Sequence, residues 1–509
     1  MERENLYAAI CANPRDDLPK LVFADWLDET GDATDRAHAE LIRIQCEWDA
    51  NARAYERALE PYTFDVKSSR RPDANALAKE NPEAARAIGL LNRAAELEVG
   101  VKSKSRVPLR QFDGASFRYA GRIRGLKTEL RISMEQTWES QMATIATGFP
   151  LRELVMDAPY SPRFEPWDHR QFDTRVLSNL ESLSSGKRAL TALTSAIVAS
   201  PATSHLKRLS AIHSYLLGDL FVILERADHL SELETIEIDQ IGLSGSQSVF
   251  TRFHESIVRN LRGLRVGHNN WDRPYFALPL LLQFTGGDCK LEEIELRDSS
   301  DAEEVADFLS GGGLDCPKLA KLALPLGGLG ARGACALLTS DRFPELRHFD
   351  VSENTLGAFV GKQLERAASY PKLHSMNLEQ TQLTDEGIAA LVNWRGFHHL
   401  RKLNLSRIEF NHASIQALVS SEAPHLRTLG LANCNLHGSH VRELVRSRFV
   451  RSLWSLDLRG NPVDDAFIRA LIETPFLDAL QCLLVDVAED SPDLVRLRAR
   501  FGDRFHSAG

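Results

Sequence analysis

Leu346-Arg-His-Phe-Asp-Val-Ser-Glu-Asn354-Thr-Leu356 returns in altered letters as Leu426-Arg-Thr-Leu-Gly-Leu-Ala-Asn-Cys434-Asn-Leu436 and Leu453-Trp-Ser-Leu-Asp-Leu-Arg-Gly-Asn461-Pro-Val463. The shared form is L-x-x-L-x-L-x-x-N/C-x-L. Its first leucines fall at Leu319, Leu346, Leu373, Leu400, Leu426, Leu453 and Leu480, in steps of 27, 27, 27, 26, 27 and 27 residues. Upstream the register loosens through Leu206, Leu233, Leu261 and Leu291, and extends to Leu151 and Leu180. The triple glycine Gly311–Gly313 marks a repeat that carries an extra residue. A chain of 509 residues is too long for one compact core, and a sustained period of this length implies stacked units.

Each part of the unit has a physical reason. The L-x-L alternation is the two-residue period of a short strand, leucines inward and intervening residues outward. Asn354 and Asn461 are expected to turn inward and satisfy backbone groups where the chain leaves the strand, with Cys434 in the same slot. Ile388/Leu391, Ile415/Leu418, Val441/Leu444 and Ile468/Leu471 lie 15 and 18 residues past their repeat's first leucine, which is helical spacing. Thr384, Asn411, Ser439 and Asp464 are suited to cap those helices. One repeat therefore reads strand, turn, helix, turn.

This spacing resembles the ribonuclease-inhibitor-like class of leucine-rich repeats over roughly two-thirds of the chain. The resemblance implies an α/β solenoid, a horseshoe with a parallel sheet inside and helices outside, behind a small all-helical N-terminal module. The inward slot departs from the pattern at Gly327, Thr381 and Ile408, so its hydrogen-bond ladder must be interrupted there. The expected organisation is a helical module over 1–100, a basic connector and N-terminal cap over 101–147, repeats over 148–487 and a C-terminal cap over 488–509.

Residues 1–60 read as helices. Asn13-Pro-Arg-Asp-Asp separates two of them, and Leu18, Leu21, Val22, Trp26 and Leu27 give the second an apolar face. Gly31 ends it, and Thr34 or Asp35 starts a third through Leu41, Ile44 and Trp48. The string Asn13-Pro…Asp16-Asp17…Leu21-Val-Phe-Ala-Asp-Trp-Leu-Asp-Glu-Thr-Gly-Asp32, followed by Ala39-Glu-Leu-Ile-Arg-Ile-Gln45, resembles a bacterial repeat-companion domain. In that family a short helical module precedes leucine-rich repeats, and the resemblance brings no catalytic residues with it.

Composition narrows the function classes. A formal charge of −9 argues against wholesale nucleic-acid binding. The charged start is unlike a secretory signal, no apolar run is long enough to span a bilayer, and the seven scattered cysteines suit reduced thiols. The expectation is a cytoplasmic protein, monomeric or in a hetero-complex. Between Val101 and Arg131 the chain is basic, with Lys102, Lys104, Arg106, Arg110, Arg118, Arg122, Arg124, Lys127 and Arg131 against Asp113 and Glu129. A solvated connector explains that run most simply; a patch for anions or nucleic acid is the alternative.

Several motifs invite chemistry that the register explains otherwise. Gly328-Leu-Gly-Ala-Arg-Gly333 is a literal G-x-G-x-x-G with Asp350 beyond it, yet its glycines occupy the loop every repeat has. Ser184-Ser-Gly-Lys-Arg lacks the flanking residues of a phosphate loop. Cys434, His437 and His440 lie close in sequence but on diverging parts of the repeat. Asp25 has no second carboxylate to form an acid–base pair and reads as a paired helix residue. No catalytic residue, metal or cofactor is expected.

The extended inner sheet surface is then the natural platform for a partner. Its outward positions include Glu237, Asp239, Arg265, His268, Glu293, Glu295, Arg297, Asp350, Ser352, Glu353, Asn377, Glu379, Asn404, Arg407, Asp457 and Arg459, with Trp271 and Trp454 as possible anchors. The expected function is protein–protein recognition by this concave face, as scaffold, adaptor or sensor. The alternatives are a non-catalytic regulator of an enzyme, of the GTPase-activator or ubiquitin-ligase-subunit kind, and anion or nucleic-acid binding through 102–131.

Overall fold

The structure, a computed structural model, describes residues 2–59, 74–78, 81–101, 115–118, 129–133, 151–157, 174–186, 194, 197–212, 218–238, 252–267, 277–285, 288–357, 370–421 and 423–507. Two compact units are present, one of Met1–Leu59 with Asp73–Arg273 and one of Glu60–Pro72 with Pro274–Gly509.

The first unit opens with helices α1 (Glu2–Ala12), α2 (Asp17–Thr30), α3 (Ala33–Leu59), α4 (Ala74–Leu77) and α5 (Pro82–Val101). Asp16 caps α2 by accepting from the Leu18 amide at 2.9 Å. Asp32, rather than Thr34 or Asp35, starts α3, accepting from both of their amides at 2.8 and 3.0 Å. The buried stripe of α2 is Lys20, Phe23, Ala24 and Leu27, packed on Ile10, Ala39 and Ile42. That corrects the expected face: Leu18 and Val22 are 65% and 43% exposed. The i, i+3, i+4, i+7 set starting at Lys20 meets both neighbouring helices, and the long lysine stem tolerates burial because its ammonium reaches Asp17 at 2.7 Å.

Seven strands follow among the described residues of this unit: β1 (Ala115–Arg118), β2 (Glu129–Ser133), β3 (Glu153–Asp157), β4 (Ser182–Gly186), β5 (Arg208–Ile212), β6 (Thr235–Ile238) and β7 (Gly263–Val266). β1 and β2 pair antiparallel, and each later strand is parallel to the one before it. Leu154, Leu183, Leu209, Ile236 and Leu264 form the buried column that the sequence pattern places inward.

The second unit carries β8 (Glu293–Leu296), β9 (Lys321–Ala323), β10 (His348–Asp350), β11 (Ser375–Asn377), β12 (Lys402–Asn404), β13 (Thr428–Gly430), β14 (Ser455–Asp457), β15 (Cys482–Leu484) and β16 (Phe505–His506), successive strands being parallel. The expected helix pairs, from Ile388/Leu391 to Ile468/Leu471, are all buried behind the sheet. This is the α/β leucine-rich-repeat solenoid behind a helical module. Beyond β15 the chain adds a helix, Pro492–Phe501, and the short strand β16 parallel to β15, with Leu494, Leu497, Phe501 and Phe505 inside.

The turn after each strand follows one rule. Asp298, Leu326, Glu353, Gln380, Arg407 and Asn433 take a left-handed backbone with φ between 54° and 60°, and Gly460 does so at 68°. Each of the six non-glycine residues donates its amide to a carbonyl of the next repeat at 2.7–3.0 Å. The inward slot then ties repeats together. Asn354, only 3% exposed, accepts from the Gly327 and Leu329 amides at 3.1 and 2.9 Å, and donates to the Leu324, Val351 and Ser352 carbonyls. Asn461 repeats the pattern with Cys434 and Leu436 as donors, both at 3.0 Å. Cys434 Sγ donates weakly to Leu405 and Ala432, and Thr381 reaches only its own repeat at Leu378, so the ladder thins there as expected.

Candidate functional site

On β8–β12 most outward side chains are half-exposed and bonded to one another across the strands, and on β14 they pair within one repeat. Lys321 reaches Glu295 at 2.7 Å, and Arg297 reaches Glu353 at 2.5 Å. Asn377 donates to Asp350 at 3.0 Å, and Asn404 to Glu379 at 3.1 Å. Arg407 meets Gln380 at 3.1 Å and Glu379 at 3.4 Å, while Arg459 pairs with Asp457 at 2.6 Å. Asp350, Asn377, Asn404 and Asp457 each also accept the amide two residues on, at 2.9–3.2 Å, which turns the chain out of the strand. Glu293 is half-exposed, opposite Lys321 in the strand register. Ser352, named among the outward positions, is buried with its hydroxyl on Asp350. Gly430 and Ala432 leave β13 bare: a Cβ at Gly430 would strike Asn404.

In the first unit, Glu237 and Arg265 face each other on β6 and β7. Asp239, His268 and Trp271 lie outside the described residues, as does most of 102–131, where only the backbones of β1 and of Glu129–Arg131 are described. Trp454 is half-buried under the Arg427 guanidinium, 5.4 Å from the ring centre.

One column went unread in the sequence: the residue after each first leucine, at the edge where strands begin. In the first unit it reads Arg152, Glu181, Lys207, Glu234 and Arg262, alternating in sign. Arg152 binds Glu181 at 2.5 Å and Asp49 of α3 at 2.6 Å; Lys207 reaches Glu181 at 3.3 Å, and Arg53 of α3 pairs with Glu234. Burial works to raise the Glu181 pKa, but Arg152 and Lys207 outweigh it and hold the carboxyl below its usual range. This column docks α3 onto the repeats. In the second unit the same column reads Arg347, His374, Arg401 and Arg427. A cleft of about 390 Å³ opens there, lined by Arg347, Lys372, His374, His399, Arg401 and His425 with Pro371 and Leu373. His374 packs edge-on to His348 with ring centres 4.6 Å apart, and its Nδ1 is buried with no hydrogen-bond partner among the described residues. Burial, then His348, Arg347 and Arg401, push its pKa down to about 2.

The tempting motifs are occupied by the protein itself. Gly330 and Gly333 donate to the two carboxylate oxygens of Glu303, both at 2.9 Å, so a side chain fills the anion position of the glycine loop. His437, not Ser439, caps its helix in a reciprocal arrangement with His440, while Cys434 points inward. Thr384 occupies its expected cap position but bonds Glu386 rather than the backbone; Asn411 and Asp464 cap as expected. Asp25 pairs with Arg43 at 2.7 Å. Cys289 and Cys316, far apart in sequence, bring their sulfurs within 2.6 Å of each other. Their separation of 27 residues, one repeat, is the signal that predicts it. Among the described residues no cluster of three metal-ligating side chains occurs, and no helix is long and apolar enough to cross a membrane.

No family model and no curated protein matches this sequence. Among solved structures the chain is similar to an internalin from Listeria monocytogenes, with a TM-score of 0.34 and 14% identity over 75% of this chain and 86% of that one. It is also similar to a structure of the Rad7 and Elc1 complex in yeast, with a TM-score of 0.38 and 16% identity over 60% of this chain and 79% of that one.

Proposed function

We propose that this chain recognises a protein partner on the sheet face of its repeats, as a scaffold, adaptor or sensor, and performs no catalysis of its own. The observation that carries the reading is the lateral fixing of polar side chains across β8–β12. Groups already held in one geometry lose little conformational entropy on binding. Glu293, Glu295, Asp350, Glu353 and Glu379 would steer a basic or mixed-charge partner, with association weakening as salt rises. Within this reading the repeats are of the ribonuclease-inhibitor-like type, and the helical module is a repeat-companion domain that covers the array's start. The protein works in the cytoplasm of a bacterium, alone or as a subunit of a hetero-complex.

Affinity capture from the native cell, read by mass spectrometry, tests this against a Glu293→Lys/Glu295→Lys chain. A reproducible partner lost from the variant, with its thermal melt unchanged, supports the face. Equal capture by both chains removes it.

A further inference from the structure

We propose that the cleft at the starting edge of β10–β12 binds a small molecule through its phosphoryl groups, with Arg347 and Arg401 as the principal donors and His374 between them. This site is separate from the sheet face and does not depend on it. The backbone sets its span. The His374 amide donates to the Arg347 carbonyl at 3.1 Å and the Arg401 amide to the His374 carbonyl at 2.8 Å, so the three residues stand on adjacent rungs. Two strand spacings separate the arginine backbones by roughly 10 Å. Guanidinium arms rooted that far apart can bracket a phosphoryl group, or two joined ones, between their forked donors.

Charge and volume point the same way. Three cations and three imidazoles line one concavity, and among the described residues no carboxylate does. Glu345 stands outside the lining, paired with Lys372 and 4.0 Å from Arg347. A volume of about 390 Å³ lies within the range that holds small ligands rather than a bare ion. His374 stands between the two arginines, and in the tautomer that protonates its Nδ1, which has no partner among the described residues, that nitrogen would donate to a phosphoryl oxygen. An anion there would also offset the Arg347 and Arg401 charges, which add to burial and His348 in keeping this imidazole neutral.

The test uses the full chain and inorganic pyrophosphate, read by calorimetry and by the ring signals of His374. Expected are saturable binding weakened at least about tenfold in Arg347→Gln/Arg401→Gln, since both charge-assisted pairs go, and a shift of the His374 signals in the unaltered chain. Circular dichroism and the melting temperature of the variant establish that it folds. An Arg469→Gln control, at an exposed helix position away from the cleft, should bind normally. No heat and no His374 shift at millimolar pyrophosphate overturns the proposal, as does equal binding by the folded double variant. Citrate matching pyrophosphate overturns the phosphoryl assignment, and a glutamate-rich peptide binding more tightly replaces it with a polypeptide ligand.

Discussion

In the second unit β9–β15 are three residues long, and the turns after them are closed by neutral, buried hydrogen bonds from Asn354, Asn461 and Cys434. In the first unit β3, β4 and β5 run five residues, and the described ties between α3 and the repeats are ionic, through Asp49, Arg53, Arg152, Glu181 and Glu234. Where the repeat consensus is strict, the turns are ordered by amide groups that neither titrate nor respond to salt, and the ion pairs lie outside them on the sheet face. Where it loosens, charges take over, and the structure becomes sensitive to both.

The sharpest way to break that contrast is Asn354→Ala. It removes five hydrogen bonds and leaves the Gly327 and Leu329 amides without their acceptor. With each dry polar group costing about 1–3 kcal/mol, the second unit should lose about 4 kcal/mol in urea unfolding, nearly independent of salt and of pH between 5 and 8. A loss below about 1 kcal/mol would mean that water refills the slot.

Arg152→Ala should cost the first unit about 2 kcal/mol, because it strands Asp49 and leaves half-buried Glu181 with Lys207 alone. Here pH matters. Glu181 titrates below its unfolded value of about 4.3, so its contribution is complete above that pH and fades as pH falls through the lowered folded value. Acid titration of unfolding free energy should show this slope in the unaltered chain and a flatter one in the variant. Parallel slopes would assign the acid sensitivity elsewhere.

Two turn substitutions sharpen the picture at smaller scale. Gly460→Ala places a Cβ against Asn433 on a left-handed backbone and should cost about 1–2 kcal/mol. Leu326→Asn, at an exposed left-handed position, should gain about 0.5 kcal/mol, since asparagine bears that conformation more easily than leucine. Melting temperatures moving the opposite way would show that side-chain packing outweighs backbone strain at these turns.

Much of the second unit was legible because one signal repeats. The Leu319–Leu480 register predicted the inward leucines, the Asn354 and Asn461 bonds and the buried helix pairs. What stayed hidden depended on rotation or on neighbours between repeats. The face of α2 turned on which stripe meets two helices at once, so Leu18 and Val22 point outward. Ser439 looked like a cap by residue type, but the helix starts at Gly438 and His437 holds the capping position. The basic cleft and the α3 docking column share a register position one step after each leucine. Reading down that column rather than along each repeat would have exposed both.

The Asn354 and Asn461 rungs point one way along the chain: each satisfies amides that belong to the repeat before it. During synthesis, a turn emerging from the ribosome must wait for the following 27 residues before its own donors are met. A nascent array therefore always carries one unfinished edge. Cutting the gene between the codons for Leu436 and Asn461 should yield a fragment whose last turn frays, whereas cuts before Leu426 remove the dependent amides of that turn altogether.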